Sequence, residues 1–174
     1  MKRYEFTGEV KKAGIFGNIT VRRIRATVSF GIVKAGELGG WIEKEENLYV
    51  DEESNAWVYG DAEVYGDAKV YGDAEVYGNA KVYGNDWVYG NAEVCGNAEV
   101  LQGSHLLVIG PIGSRNSFTT FFRDKDNEIV VRCGCFLGKI DKFLERVKET
   151  HGDSRYAFVY RAAVEVAKAH IKLN

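Results

Sequence analysis

The chain has 174 residues, 45% of them hydrophobic and 28% charged, a balance typical of a globular protein with one ordinary domain or two small ones. No run of about 18 apolar residues is present, and the N-terminal residues lack the apolar stretch of a signal peptide, so we expect a cytoplasmic protein without membrane contact. The three cysteines, an odd number, indicate neither a disulfide framework nor a four-ligand zinc site, so no metal or other cofactor is expected.

The net charge of −2 is unevenly distributed along the chain. Residues 1–47 hold 9 Lys and Arg against 6 Asp and Glu, residues 48–104 hold 2 against 11, and residues 105–174 hold 12 against 8. The acidic middle argues against nucleic acid as a partner there, because phosphate contacts need Lys and Arg. An anionic ligand is expected in a terminal segment instead. These three segments are also the predicted domains.

The N-terminal segment, residues 1–47, is predicted to be a β segment that caps the middle one. Residues 19–33 are rich in β-branched residues and are bounded by glycines, which predicts one or two strands. Gly39 and Gly40, just before Trp41, predict a tight turn. A small basic cluster is either a solvated strand edge or an anion contact, and it consists of Arg22, Arg23 and Arg25.

The middle segment contains seven consecutive six-residue repeats, which start at Val58 and read VYGDAE, VYGDAK, VYGDAE, VYGNAK, VYGNDW, VYGNAE and VCGNAE. Each hexad has valine first and a small residue four positions later, alanine in all but one. A six-residue period places successive valines about 240° apart on a helix, so no helical apolar stripe forms. Glycine followed by Asp or Asn favours a corner with positive φ. We therefore predict a parallel β-solenoid with valine and alanine pointing inward.

The sixth position of the hexad indicates how many hexads form one turn of the solenoid. Three per turn stack residues 18 apart and place Lys81 between Glu63 and Glu99. The one like-charged pair is then Glu75 with Glu93, whereas two hexads per turn would stack Glu on Glu and Lys on Lys. Because stacked strands lie about 4.8 Å apart, opposite charges favour the three-sided coil. Seven hexads make little more than two turns, and the open ends need caps.

An aliphatic residue followed four positions later by a small one resembles the hexapeptide-repeat family of left-handed parallel β-helices, typified by bacterial acyltransferases. The left hand is implied by this resemblance, not by the spacing. The stretch VKAGELGGWIEKEENL at residues 33–48, together with the repeats, is similar to hypothetical proteins of phages and prophages. The predicted fold class is mainly β: a short three-sided left-handed β-helix with an N-terminal β segment and a C-terminal α+β (β-β-α-α) unit.

A tyrosine follows the inward valine in six hexads, and strand alternation points it outward. These residues are Tyr59, Tyr65, Tyr71, Tyr77, Tyr83 and Tyr89. When residues 18 apart are stacked, the six tyrosines form one pair on each of the three faces of the coil. The pairs either strengthen the coil by ring packing or form a contact surface for a host protein or for a second copy in a homo-oligomer.

The C-terminal segment, residues 105–174, begins with predicted strands. Residues 106–109 are a buried strand, and SFTTFFR at 117–123 and EIVVRC at 128–133 flank the turn DKDN, which predicts a hairpin.

Two helices are predicted to follow the hairpin. Apolar residues at i, i+3, i+4 and i+7 predict the first over Lys139–Thr150. Asp153 or Ser154 is the expected N-cap of the second. The apolar face of that helix is Ala157, Tyr160, Val164, Ala167 and Ile171.

The family resemblance makes an acyl-CoA-dependent acyltransferase the alternative function. Enzymes of that family use a histidine general base, and His105, just past the last hexad, is the one candidate, unless it is a capping residue. The hexads run without an inserted loop and the coil is short for a CoA groove, which weakens this alternative. Cys133 or Cys135 with His151 as base is a further alternative to structural thiols at a strand end.

The polar stretch GPIGSRNSFTT at residues 110–120 is the candidate ligand site, with an ordinary linker as the alternative. Its glycines expose backbone N–H groups, and Arg115 offers two N–H groups to a carboxylate or phosphate. No Walker GK[ST] motif is present. The candidate ligand-binding residues are Gly113, Ser114, Arg115, Asn116, Thr119 and Thr120, with Arg132 across the hairpin as a second cation.

These patterns together predict a non-enzymatic binding or assembly protein of phage or prophage type. Such a protein would antagonise a host defence process in one of two ways. It would sequester a small nucleotide-like signal in the 110–120 stretch, or it would mask a host protein with its tyrosine faces. In either case the site of action is the host cytoplasm.

Overall fold

The hexads form a three-sided β-solenoid of about three turns in the computed structural model, which describes residues 2–173. Valine and alanine point inward as predicted, since the first-position valines from Val58 to Val100 and the fifth-position alanines have no exposed surface. About 40% of the chain is strand and 20% is helix, so the mainly β class is confirmed.

The N-terminal segment extends one face of the solenoid. Strands β1 (Tyr4–Ala13), β2 (Ile19–Ala26) and β3 (Leu38–Ile42) pair antiparallel in chain order. β3 also pairs in parallel with residues 63–64 of the coil. Parallel pairing therefore begins upstream of the first hexad, and residues 38–58 form an irregular extra turn that brings the solenoid to about three.

Gly39 and Gly40 lie inside β3 and not in the tight turn that the sequence predicted. A Cβ on Gly39 would lie 2.6 Å from Cγ1 of Ile24 and 2.8 Å from the carbonyl oxygen of Val58. A Cβ on Gly40 would lie 2.7 Å from the carbonyl oxygen of Ala62. Glycine is needed at both positions because β3 passes too close to the coil to carry a side chain.

Eight two-residue strands form the regular coil, each joining the end of one hexad to the start of the next. They are β4 (Trp57–Val58), β5 (Glu63–Val64), β6 (Lys69–Val70), β7 (Glu75–Val76), β8 (Lys81–Val82), β9 (Trp87–Val88), β10 (Glu93–Val94) and β11 (Glu99–Val100). They stack as β3-β5-β8-β11, β4-β7-β10 and β6-β9. Lys81 pairs with Glu63 and Glu99, which confirms three hexads per turn. The chain turns at the third-position glycines, whose φ runs from +59° at Gly60 to +75° at Gly72.

The C-terminal segment is a four-stranded antiparallel sheet covered by two helices. Its strands, paired in chain order, are β12 (Leu106–Ile112), β13 (Ser117–Arg123), β14 (Ile129–Cys133) and β15 (Phe136–Lys139). The sequence did not predict β15, which contains only two large apolar residues. A two-residue turn joins β14 to β15, with Gly134 at φ +58° in the position that requires a positive value.

The two predicted helices are present as α1 (Ile140–His151) and α2 (Arg155–His170). Ser154 caps α2, because its hydroxyl accepts a hydrogen bond from the backbone N–H of Ala157. All five residues of the predicted apolar face are buried. Neither helix, nor any other in residues 2–173, has the length and apolarity needed to cross a bilayer.

The C-terminal sheet is buried on both faces. Phe122 and Leu106 pack into the core of the solenoid, whereas the adjacent Phe121 and Val131 pack against the helices. The end of the coil is therefore capped by one face of this sheet, which explains why SFTTFFR reads as a continuous run without alternation.

Cations of the flanking segments pair with carboxylates of the acidic coil. The pairs are Lys11–Glu63, Lys44–Asp67, Arg123–Glu99 and Arg132–Glu93. The uneven charge of the sequence thus helps hold the flanking segments on the coil.

Candidate ligand site

A cavity of about 660 Å³ lies in the C-terminal unit, between the turns of the sheet and the helices. Its wall is contributed by the turn before β13, the β14–β15 turn, α1 and α2. The polar lining residues are Ser114, Arg115, Ser117, Cys133, Cys135, Arg146, Thr150, His151 and Tyr160. The volume falls in the range of small-molecule sites, roughly 300 to 1,000 Å³.

The lining of this cavity is cationic. It contains two guanidinium groups, those of Arg115 and Arg146, and neither Asp nor Glu. Within residues 2–173, neither guanidinium forms an ion pair with a carboxylate. An anion that entered the cavity would therefore meet free N–H donors and no repelling charge.

Aromatic rings form the apolar part of the wall. Phe143 meets Tyr160 edge-on at 5.6 Å between ring centres and lies 5.3 Å from Phe136. The imidazole of His151 stacks on the Tyr160 ring at 5.7 Å. Flat surfaces of this kind suit a planar ring in a ligand.

The thiol of Cys133 is held by two hydroxyl-bearing side chains. Thr119 donates a hydrogen bond to its Sγ at 3.3 Å, and the Sγ lies 3.9 Å from the hydroxyl of Tyr160. Burial, with a contribution from Cys133, raises the pKa of Tyr160 to about 12, so this phenol stays neutral. No hydrogen bond in residues 2–173 joins His151 to Cys133, so the nucleophile and base considered from the sequence share the cavity without being paired.

The predicted ligand turn contributes part of the cavity. Ser114 and Arg115 line it. Gly113 packs under Tyr160, since a Cβ there would lie 1.8 Å from the phenol oxygen. Asn116 is exposed, with φ at +50°, and shapes the turn without lining the cavity.

Thr120 and Arg132 face the solenoid instead. They are cross-strand partners in β13 and β14. The hydroxyl of Thr120 accepts from the backbone N–H of Glu93 at 3.1 Å, and the Nε of Arg132 donates to the Glu93 carboxylate at 2.6 Å. Both residues dock the sheet on the coil, and Arg132 bonds to Glu93 away from the cavity that Arg115 lines. Thr119 lies on the other face, beside Cys133.

Arg146, which the sequence did not indicate, lines the cavity together with Arg115. Arg146 follows Phe143 by three residues on α1, so helical spacing puts it beside the buried face. From that spacing, the sequence could have placed Arg146 near an apolar surface. It did not show that the turn carrying Arg115 closes over the same wall, because that depends on how the helices pack on the sheet.

His105, the candidate general base, lies under the last turn of the coil and is 1% exposed. The backbone N–H of Leu101 donates to its Nδ1 at 3.3 Å, and its Nε2 lies 3.1 Å from the side-chain nitrogen of Gln102. Burial lowers the pKa of the imidazole, with Arg123 adding to the effect. In this position the imidazole of His105 is almost closed off from solvent.

The hexad tyrosines stack on two of the three faces. Tyr65 and Tyr83 lie 5.0 Å apart between ring centres and pack under the β1–β2 hairpin together with Trp41. Tyr71 and Tyr89 lie 5.4 Å apart, and Tyr89 is 57% exposed.

The third tyrosine pair makes hydrogen bonds instead of stacking. Tyr59 donates to the Glu75 carboxylate at 3.4 Å and Tyr77 donates to the Glu93 carboxylate at 3.1 Å. The contact surface for a second copy or a host protein stays a prediction, and Tyr89 is the most exposed of the hexad tyrosines.

No protein-family model matches this chain, and no curated protein sequence is similar to it at a significant level. In addition, no three His, Cys, Asp or Glu side chains of residues 2–173 come together in a metal-binding group. The function is therefore argued from the geometry of the cavity.

Proposed function

We propose that this protein is a non-catalytic binding protein whose C-terminal unit takes up a small nucleotide-like anion. The observation that carries the proposal is the cavity of about 660 Å³, into which the described residues 2–173 bring the unpaired guanidinium groups of Arg115 and Arg146 and no carboxylate. Two such groups suit a phosphate, because each offers paired N–H donors to its oxygens.

The remaining lining fits the rest of a nucleotide. The rings of Phe136, Phe143 and Tyr160 offer faces and edges to a base. The hydroxyls of Ser114 and Ser117 lie on the same wall as Arg115 and can donate to a ribose or a phosphate. The ligand would enter between the two turns and lie across the helices.

The solenoid serves this site as a scaffold. Its last turn holds β13 and β14 through Thr120, Arg132 and the shared core around Phe122, and these strands lead into the two turns of the cavity. The resemblance of the repeats to phage and prophage proteins supports a role in sequestering a host nucleotide signal and so antagonising a defence process. Sequestration requires tight binding and no turnover, in agreement with a site built from arginines and rings.

A thermal-shift screen against mono-, di- and cyclic nucleotides tests the proposal. We expect one class to raise the melting temperature of the native chain, because a ligand that binds only the folded state stabilises it. Arg115→Ala and Arg146→Ala should each abolish the shift. Arg161→Ala is the matched control, since Arg161 is an exposed arginine of α2 outside this cavity.

Titration calorimetry then gives the size of the effect. Loss of one charge-assisted contact costs about 1.5 to 3 kcal/mol, so each cavity variant should bind roughly 10- to 100-fold more weakly than Arg161→Ala. The proposal fails if no nucleotide changes the melting temperature, or if all three variants bind alike.

A further inference from the structure

One hexad departs from the repeat at two adjacent positions. Asp86 stands where the other six hexads have alanine, and Trp87 stands where they have glutamate or lysine. Trp87 begins β9, the last strand of the two-stranded β6-β9 face. The departure therefore falls at the end of the coil that the C-terminal unit covers.

The carboxyl group of Asp86 is buried without full hydrogen bonding. The side chain is 3% exposed, and its Oδ1 accepts from the backbone N–H of Trp87 at 2.8 Å. Its Oδ2 is buried and has no hydrogen-bond partner in residues 2–173. Burial raises the pKa of Asp86 to about 6, opposed in part by the Trp87 N–H. Such a group opposes folding where alanine would fit, so the fold does not account for its presence.

A second cavity, of about 500 Å³, opens at this carboxyl between the last turn of the coil and strands β12 and β13. Three aromatic side chains line it, those of Trp87, Tyr89 and Phe118. Trp87 is 51% exposed, so its indole is available to a ligand. Asp86 is the one carboxylate of the lining, which includes neither Lys nor Arg.

We propose that this second cavity binds a small organic cation, a compound with a primary ammonium or guanidinium group on a flat or aliphatic body. The cation is attracted by the carboxylate charge of Asp86 at the cavity wall, and its body packs against the rings, which also attract positive charge. Trp87 accepts a cation within the chain already, since the ammonium of Lys69 lies 5.2 Å from its ring centre. Lys69 is not part of the cavity lining.

The second cavity is separate from the cationic one of the C-terminal unit. The two share no lining residue, and their charges are opposite. Binding of a cation in the second cavity is therefore independent of binding of an anion in the C-terminal unit. A negative result for one site does not contradict the proposal for the other.

Benzylamine and its neutral counterpart benzyl alcohol are matched probes for this site. The titration follows the indole N–H of Trp87 by ¹H–¹⁵N NMR. We expect benzylamine to shift this resonance and to bind at least tenfold more tightly than benzyl alcohol, because only the amine carries the positive charge that the Asp86 carboxylate attracts. Asp86→Ala should reduce benzylamine to the affinity of the alcohol, and Asp86→Asn, which keeps the shape and removes the charge, should do the same.

Asp86→Ala restores the residue of the other hexads, so the loss of binding will not be confused with unfolding. Equal affinity of amine and alcohol would overturn the proposal. Retention of benzylamine binding in Asp86→Ala would overturn it too, as would the absence of any shift at millimolar benzylamine.

Discussion

At the scale of single residues, Asp86 shows what a buried carboxyl does to stability. Its pKa of about 6 in the folded protein lies above the value near 4 of an unfolded chain. The folded state therefore binds this proton more tightly, and the free energy of unfolding falls as pH rises from about 4 to about 6. A shift of about two pK units corresponds to about 3 kcal/mol at most.

We predict that Asp86→Ala stabilises the protein, and more so above pH 7 than at pH 4. The expected gain is about 2 to 3 kcal/mol at pH 8, because the variant removes a buried, incompletely bonded carboxylate. Urea unfolding of both chains at the two pH values measures it. A gain that does not depend on pH would contradict the raised pKa.

The glycines of β3 make a second prediction at this scale. Gly39→Ala should destabilise the protein by about 2 kcal/mol or more, because the new methyl group would overlap Ile24 and the backbone of Val58. Gly103→Ala is the control, since its Cβ would come no closer than 3.9 Å to its nearest neighbour, the Asp86 carboxylate. Chemical denaturation of both variants compares them. Equal stabilities would show that β3 moves away from the coil at little cost.

At the scale of elements, the predictable part of the fold was the part with a repeat. Six-residue spacing fixes which side chains point inward, and the charges of the sixth position predicted the 18-residue register that the strands adopt. The extra turn at residues 38–58 lacks the hexad pattern, and its two glycines carry the same signal as a turn. The two glycines lie in a strand because β3 pairs with residues 63–64 of the coil, which are distant in sequence. β15 was missed for a related reason, because its pairing with β14 decides its structure more than its own four residues do.

For the candidate ligand site, too, one part was predictable from the sequence and another part depended on how the segments pack together. The sequence indicated Ser114 and Arg115 by composition alone, and both line the cavity. It could not separate Thr119 from Thr120, or Arg115 from Arg132, by the face that each occupies, because the sheet is buried on both sides. One residue of shift along β13 moves a side chain from the face that the helices cover to the face that docks on the coil.

The docking contact of β14 with the coil gives a third prediction. Arg132→Ala should lower the free energy of unfolding by about 1 to 2 kcal/mol, since it removes the bond to Glu93 and the packing over Tyr77. A double-mutant cycle with Glu93→Gln isolates the pair, and its coupling energy should be about 1 kcal/mol because both side chains are partly exposed. Additive effects would show that the bond contributes nothing.

At the scale of the whole molecule, one hydrophobic core joins all three segments. It contains Tyr4 from the N-terminal hairpin, Trp57 at the start of the coil, and Phe122 from the C-terminal sheet. A second core holds the helices on the other face of that sheet. Because the sheet belongs to both cores, we expect the coil and the C-terminal unit to unfold together.

Spectroscopic probes are well placed to test this cooperativity. All three tryptophans lie in residues 41–87, and both α-helices lie in residues 140–170. Tryptophan fluorescence and circular dichroism at 222 nm therefore report on different segments of the chain. In urea, the two transitions of the native chain should share one midpoint.

Phe122→Ala and Phe121→Ala are matched variants for the last prediction. Each removes a fully buried ring and should cost about 3 to 5 kcal/mol, but Phe122 packs into the solenoid core and Phe121 against the helices. Loss of Phe122 weakens the link between the two units, so its helical transition should separate from its fluorescence transition. Loss of Phe121 leaves that link in place, and its transitions should move together to lower urea. Separate midpoints in the native chain would show instead that the solenoid and the C-terminal unit are independent, and that the coil positions the ligand cavity without stabilising it.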